Sequence, residues 1–433
     1  MNYFNEKMER IDREDLKKIQ LERLKKTVER CYHNVPFYKE RLDSVGMTPE
    51  KFTSLDDLEE IPFTTKADIR DHYPYGLFAA PMKEIVRLHA SSGTTGKPTV
   101  VGYTRNDLNM WAEAMARLLV AAGLTDEDIV QVSFGYGLFT GAFGLHYGIE
   151  NVGATVVPTS SGNTEKQIML MKDFGTTALV GTPSYAIHMA EVAEQMGIKK
   201  EDLKLRLGFF GAEASTEEMR AELEKRWGIL ATENYGMSEL VGPGVAGECI
   251  YKKGMHINED LFIPEIIDPA TGEVLPYGEK GEVVVTTICK EGIPLLRYRT
   301  KDITYIIDEP CECGRTTLRF HKMQGRSDDM LIIKGVNVFP SQIESAITGT
   351  SGISPHYQLI VTKEGYFDAL EVVLELVDGS LLNNYKELVA LERSIKHKIR
   401  TVVGIDVKIK LVNPNTIERS QGKAKRVVDL RNQ

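Results

Sequence analysis

Cysteine is scarce in this chain: five residues among 433, at positions 31, 249, 289, 311 and 313. So sparse and odd-numbered a set does not make a disulfide framework, and a reducing cytoplasm is the expected compartment. No run of about 18 apolar residues occurs, so no membrane-spanning helix is expected. The first residues, MNYFNEKMERIDREDLKK, hold no apolar stretch of the secretory kind, and no signal peptide is expected. A basic excess is missing too: Lys plus Arg number 53 against 62 Asp plus Glu, for a net charge of −9. That balance argues against a nucleic-acid partner, which calls for a basic footprint. It leaves room for a locally basic pocket around a small anion. Neither an internal repeat nor a low-complexity tract is visible. What is present is 42% hydrophobic and 27% charged residues, enough for a large core. At about 150 residues per domain the length allows two or three domains.

Hydropathy patterning gives the organisation. Residues 5–32 read as a helix, with Leu16, Ile19, Leu21, Leu24, Val28 and Cys31 mostly three or four apart. From 129 to 235 strands alternate with helices. Strands are expected at 129–134, 154–158, 177–182, 205–211 and 229–234. Thr164 with Gln167, and Ser215 with Glu218, have capping-box spacing, and Pro183 suits a first helical turn. This is the pattern of βαβ units around a mostly parallel sheet, an α/β fold. In such sheets ligands sit beyond the carboxyl ends of the strands. Those ends read Gly135-Tyr136-Gly137, Gly181-Thr182-Pro183, Gly211-Ala212-Glu213 and Tyr235-Gly236-Met237-Ser238-Glu239. Residues 246–325 change to β-rich segments and turns, read as an antiparallel subdomain. A boundary is placed at 325–329, dividing a large part, 1–325, from a small α+β domain, 326–433. In the latter, strands are expected at 330–333, 368–377 and 403–412, and a helix at 382–400.

Several segments carry chemistry. Ser91-Ser92-Gly93-Thr94-Thr95-Gly96-Lys97-Pro98 combines glycines that let backbone curl round an anion, four hydroxyls and a cation. It is a phosphate-loop composition but not a Walker A loop, which needs Gly at 91 and Ser or Thr at 98. Glu239, at a strand end, is a candidate Mg²⁺ ligand beside a nucleotide. Gly236-Met237-Ser238-Glu239-Leu240 lacks the last glycine of a nucleophile elbow, which weakens a serine-hydrolase reading. Asp302, in Arg297-Tyr298-Arg299-Thr300-Lys301-Asp302, can accept ribose hydroxyls. Lys423, flanked by Gly422, can reach a phosphate, with Lys425 as the alternative. Cys249, His256, Cys311 and Cys313 form a Cys₃His set, a structural zinc composition, with His321 as an alternative to His256. Gly135–Gly141 falls short of G-x-G-x-x-G at Thr140, but Tyr136, Phe139 and Phe143 are candidates to line an aromatic pocket.

In this order, Ser91–Pro98, Glu233–Glu239, Arg297–Asp302, Gly325–Asp329 and Ser420–Lys423 resemble the motifs of the acyl-adenylate-forming superfamily of acyl-CoA synthetases, adenylation domains and luciferases. Within it, His33–Tyr38, Phe134–Gly141, Arg297–Asp302 and Asp328–Glu344 are similar to the phenylacetate–CoA ligase family, and the resemblance spans essentially the whole chain. It implies ligation in two steps, carboxylate and ATP giving acyl-AMP and pyrophosphate, then CoA giving a thioester and AMP. It further implies that Lys423 serves the α-phosphate, that Ser91, Ser92, Gly93, Thr94, Thr95, Gly96 and Lys97 hold the outer phosphates, and that Glu239 holds Mg²⁺. Asp302 with Arg326 would hold the ribose. Ala212, Glu213, Asn234, Tyr235, Gly236, Met237 and Ser238 would border the nucleotide. Tyr136, Phe139 and Gly236 would border a small aromatic acid, and Asp328 matches the hinge. A homodimer is implied as well. Glu418 and Gln421 depart from the superfamily's usual Pro and Ser near the lysine, and Ser238 stands for a usual Thr. Two other readings stay open: adenylation followed by loading of a carrier protein, and a nucleotide sensor without turnover.

Overall fold

Two acceptor side chains near the N-terminus decide how the first helix runs. Asn5 accepts from the backbone N–H of Met8 and caps a single turn, Glu6–Glu9. Asp12 accepts from Glu14 and opens a long helix, Arg13–Asn34. The single helix expected over 5–32 is therefore two, because each cap satisfies N–H groups that a helix start leaves open. The long helix buries Leu16, Gln20, Leu24, Thr27, Val28 and Cys31. Pro36, with no N–H to extend it, starts the next helix, Pro36–Ser44.

The computed structural model describes residues 2–91, 98–213, 215–328, 331–333, 336–364, 367–419 and 426–431. The chain divides into two compact units. The first comprises Met1–Gly181, Glu201–Ala212 and Leu230–Met323; the second comprises Thr182–Lys200, Glu213–Ile229 and Gln324–Gln433.

A nine-stranded sheet runs through the first unit. One half is parallel: Thr155–Val157, Ile129–Val132, Ala178–Gly181, Leu207–Phe210 and Leu230–Met237, in that spatial order. The other half is antiparallel and continues through Gly242–Glu248, Met255–Ile257, Arg319–Phe320 and Ile306–Ile307. Leu230–Met237 belongs to both halves. The antiparallel segment after 246 is thus only partly separate. A three-stranded antiparallel sheet, Phe262–Ile267, Gly281–Thr287 and Tyr298–Thr304, stands apart, while its neighbours extend the main sheet. Arg87–Ala90 and Val100–Tyr103 pair antiparallel on either side of the segment 91–99.

The second unit contains the helices Pro183–Gln195 and Glu217–Trp227. They are tied by the Trp227 indole N–H, which donates to the Ala186 carbonyl at 2.9 Å. Its C-terminal part holds a four-stranded mixed sheet in the order Lys408–Val412, Phe367–Leu376, Ile353–Glu364, Val427–Asp429. The helices Pro340–Ile347 and Tyr385–Val403 share its core, through residues such as Ile343, Ile395 and Ile399. No helix among the described residues is long and apolar enough to cross a membrane.

Three local expectations need correction. The strand expected over 403–412 begins only at Lys408, because the preceding helix runs to Val403 and Gly404, at φ 78°, ends it in a left-handed turn. The cap expected at Ser215 is Thr216, which accepts from Met219. Thr164 and Gln167 make no capping box: Asn163, at φ 49°, precedes the helix. Gln167 is buried instead, donating to the Ser160 and Gly162 carbonyls at 2.9 and 2.7 Å. It fixes the loop after the edge strand.

The helix Arg105–Ala121 opens with a capping box of Thr104 and Asp107. Asp107 is fully buried and also accepts from the N–H groups of Glu291 and Gly292, at 2.7 and 2.9 Å. One carboxylate joins two distant segments. Asp107→Ala is expected to cost on the order of 3 kcal/mol, since it orphans several buried donors. Asp107→Asn, which keeps one acceptor, should cost less. Urea unfolding midpoints of the two variants check the order.

Candidate active site

The carboxyl end of Leu230–Met237 is where the sequence placed its densest motif. Gly236 approaches the neighbouring strand so closely that a Cβ would lie 1.9 Å from the Gly242 carbonyl oxygen. Gly242, at φ 102°, leaves no room either: a Cβ there would meet Trp111 at 2.5 Å. Only glycine fits at both positions. Past this crossing the chain turns at Ser238–Val241, which delivers the Glu239 side chain into a buried position.

Glu239 Oε1 receives Lys66 Nζ at 3.0 Å and the Thr99 hydroxyl at 3.2 Å. Its second oxygen, Oε2, has no partner among the described residues. A buried carboxylate with one oxygen held and one open suits a cation ligand. Lys290 donates to the Glu239 carbonyl at 3.0 Å and lies 5.1 Å from the Tyr103 ring centroid. Burial pulls the Lys290 amine down to about 8, against the opposing charges of Asp107 and Glu239.

Two other segments come to the same place. Ser91 and Thr99 exchange hydrogen bonds, Ser91 N–H to the Thr99 carbonyl at 3.0 Å and Thr99 N–H to the Ser91 hydroxyl at 3.1 Å. They clip together the base of the serine- and threonine-rich loop. Ser92, Gly93, Thr94, Thr95, Gly96 and Lys97 themselves lie outside the described residues, as does Lys423. The Leu138 carbonyl accepts from Ala90 N–H at 2.9 Å and from His89 Nδ1 at 3.0 Å. The Thr140 and Ser238 hydroxyls are 3.0 Å apart. The loop Gly135–Thr140 is therefore fastened to the loop base at one end and to the Glu239 turn at the other.

The remaining expected residues fall out as follows. The Tyr235 hydroxyl donates to Asp302 Oδ2 at 2.7 Å, so the pair is assembled. Asn234 donates to the Phe210 carbonyl at 2.9 Å, tying two strand ends. Ala212 sits at φ 69°, an uncommon conformation for a residue with a side chain. In the second unit, Glu213 accepts from Ser184 N–H at 2.6 Å, at the start of Pro183–Gln195. Arg326 forks onto Asp328, at 2.8 and 2.9 Å. Met237 packs against the main core. Tyr136 stands edge-on to Phe143 at 5.2 Å between centroids, whereas Phe139 is 52% exposed. In the Arg297–Asp302 motif the two arginines are structural: Arg297 forks onto buried Glu265 and Arg299 onto Glu282. Lys66, Thr99, Thr140 and Lys290 were not singled out from the sequence. Thr99 directly follows the loop motif, a signal that could have found it; Lys66 and Lys290 sit in no motif.

A second cluster lies in the first unit. One ligand atom each from Cys249, His256, Cys311 and Cys313 falls within 4.8 Å of the others, and all four residues are buried. Cys249 and Cys311 sulfurs are 3.8 Å apart, and Cys313 Sγ is 3.2 Å from His256 Nε2. Tetrahedral bonds of about 2.3 Å put ligand sulfurs about 3.8 Å apart, so the spacing fits zinc. Thr317 is 3.0 Å from His256 Nδ1 and orients the ring. His321 is not in the group; it stacks on Tyr305. The N-terminal arm is bound here: the Tyr3 hydroxyl donates to the Cys313 carbonyl at 2.8 Å, and Arg315 pairs with Glu9 at 2.6 Å.

Residues 24–289 match the AMP-binding enzyme family and residues 335–431 the AMP-binding enzyme C-terminal domain. The chain is 48% identical over 421 residues to a phenylacetate-coenzyme A ligase of Escherichia coli (strain K12), covering 97% of this chain and 96% of that protein. It is 50% identical over 427 residues to a phenylacetate-coenzyme A ligase of Pseudomonas putida, covering 98% and 96%. Its fold is similar to that of a 2-hydroxyisobutyryl-CoA ligase in the postadenylation state, with TM-score 0.92, 29% identity and coverage of 98% and 91%.

The depressed Lys290 amine has a consequence for stability. Between about 8 and its ordinary 10.5, the folded chain sheds a proton that the unfolded chain keeps. Stability from this site therefore rises with pH across that window, by at most about 3 kcal/mol. The wild-type stability minus that of Lys290→Met should climb from pH 7 to pH 10 in urea titrations. A flat difference would refute the buried ammonium.

Proposed function

The chain belongs to the AMP-binding enzyme family as an AMP-forming acid–CoA ligase of the phenylacetate–CoA ligase group, and from that premise we propose that its acid is phenylacetate, activated by ATP and passed to CoA. The observation that supports the site assignment is the convergence of the Gly135–Thr140 loop, the Ser91–Thr99 clip and the Glu239 turn. An acid, the phosphates of a nucleotide and a cation have to meet at one point for adenylation, and these three segments do meet.

In the first step a carboxylate oxygen bonds to the α-phosphorus, and pyrophosphate leaves with the electrons of the broken P–O bond. In the second the CoA sulfur bonds to the acyl carbon, and AMP leaves. Both partners of the first step are anions, so cations aimed at the phosphates carry the stabilisation. Lys423 takes that role at the α-phosphate in this reading, and Ser91 to Lys97 hold the outer phosphates. Glu239, with Oε2 open, would hold Mg²⁺, which supplies charge neutralisation when bound. Asp302, fixed by Tyr235, accepts the ribose hydroxyls, with Arg326 assisting. Ala212, Glu213 and Asn234 to Ser238 border the nucleotide. Tyr136, Phe139 and Gly236 border the ring of the acid. The small domain starts at 326, with its hinge at Asp328.

The reading includes a structural zinc ion held by Cys249, His256, Cys311 and Cys313. Four protein ligands close the coordination shell, so the ion stabilises the fold and takes no part in the reaction. It also includes a homodimer and a cytoplasmic location.

Product analysis tests the function. With Mg-ATP, CoA and a panel of aryl and alkyl acids, phenylacetyl-CoA and AMP should appear by mass spectrometry. AMP without a CoA ester would point to a carrier protein, and no AMP from any acid would overturn the reading. Lys423→Ala should abolish acyl-AMP formation while ATP still binds; adenylation at the wild-type rate would remove that residue from its role. Metal analysis of protein never exposed to chelator should find about one zinc per chain. Less than a tenth of that amount would refute the metal site.

A further inference from the structure

The helix Gly141–Val152 carries Phe143, His146, Tyr147 and Glu150 three and four residues apart, on one face. The Tyr136 ring stands edge-on to both Phe143 and His146. Its hydroxyl is 3.0 Å from His146 Nδ1. His146 Nε2 is in turn 3.2 Å from the Glu150 carboxylate. A carboxylate only accepts, so it selects the tautomer with the proton on Nε2. In the neutral imidazole Nδ1 is then an acceptor, and the Tyr136 hydroxyl donates to it. Burial, followed by the charges of Glu150 and Tyr147, pushes the Tyr136 phenol up, which keeps its proton in place. With its hydrogen committed, the phenol oxygen is left as an acceptor. No donor among the described residues reaches it.

We infer that His146, held by Glu150, is a positioning residue that turns Tyr136 into a hydrogen-bond acceptor at the acid's ring, so that beside phenylacetate itself the site takes aryl-acetic acids bearing a ring O–H or N–H donor in preference to their donor-free ring-substituted isosteres. This deepens the proposed function and rests on its placement of Tyr136 at the acid's ring. A direct phenol in the pocket without this relay could offer either a donor or an acceptor and would not distinguish such acids. The relay is what removes the choice.

The test compares each hydroxyphenylacetate isomer with the matching fluorophenylacetate, which has the ring position filled but no donor. The readout is the ratio of kcat/KM for AMP release within each variant, so changes in overall activity or yield cancel. In wild type at least one isomer should exceed its fluoro counterpart by about three- to tenfold, the worth of one neutral hydrogen bond. Tyr136→Phe should bring that ratio to within about twofold by removing the bond, and His146→Leu should lower it part of the way, because the freed hydroxyl can still accept but is no longer held to that role. His146→Asn, whose amide oxygen can accept from Tyr136, should recover part of it. The inference falls if no isomer shows the preference in wild type, if the preference survives Tyr136→Phe, or if His146→Leu leaves it at the wild-type value. Failure of the underlying reading looks different: no aryl acid would then support AMP release at all.

Discussion

The crossing of Gly236 over Gly242 is the constraint on which the site depends. Within the nine-stranded sheet, Leu230–Met237 is the strand that pairs in parallel on one side and antiparallel on the other. Its register with Gly242–Glu248 shifts between Tyr235 and Gly236, at the point where the backbones touch. Trp111 fills the space that side chains at Gly242 and Gly144 would need, and its indole N–H donates to the Pro243 carbonyl at 2.6 Å. The indole therefore acts as a wedge that fits only against glycine. Everything downstream follows from this packing. Ser238 reaches Thr140, and Glu239 reaches Lys66 and Thr99, because the turn leaves the crossing at a fixed angle.

Several buried charges of this acidic protein are answered by a buried opposite charge. Arg297 and Glu265 are both buried and form a two-point fork, and Arg117 meets Asp260 at 2.7 Å. Such pairs cost desolvation and return little net stability, but breaking one leaves an uncompensated charge. They set geometry. Lys290 differs from them, because it is fully buried and its direct partner is a carbonyl, not a carboxylate. Burial favours the neutral form of its amine, which sits directly behind the Glu239 turn. The electrostatic tension of the site is thus stored on a residue that belongs to no motif.

What could be read from the sequence follows from the same physics. Glycine-rich strand ends were legible because close backbone approaches and positive φ angles exclude other residues, as at Gly236 and Gly242. Alternating strands and helices gave the parallel half of the sheet. The antiparallel half was read as a subdomain, since sheet continuation depends on pairing partners far away in sequence. The cysteine and histidine set was legible from residue chemistry alone, despite a tight Cys-x-Cys spacing. Caps were misplaced by one residue where two hydroxyls stand together, as at Ser215 and Thr216, because spacing cannot say which side chain faces the helix. Lys66 stayed invisible because its partner, Glu239, lies 173 positions away in the chain.

The loop Gly135–Thr140 makes its attachments in two currencies. Toward the hairpin that carries the phosphate-loop motif it offers a backbone group, the Leu138 carbonyl, which any residue at that position would supply. Toward the helix Gly141–Val152 it offers a side chain, Tyr136. The first attachment is indifferent to sequence and the second is not. In the proposed reading, a substitution at 136 or 139 can therefore reshape what the loop presents to an acid while its backbone stays seated against Ala90. In that reading, a fixed backbone contact toward the nucleotide side, with replaceable side chains toward the acid, lets one adenylating frame serve different carboxylates. That division explains physically why fold and reaction class are easier to assign for this chain than the acid it selects.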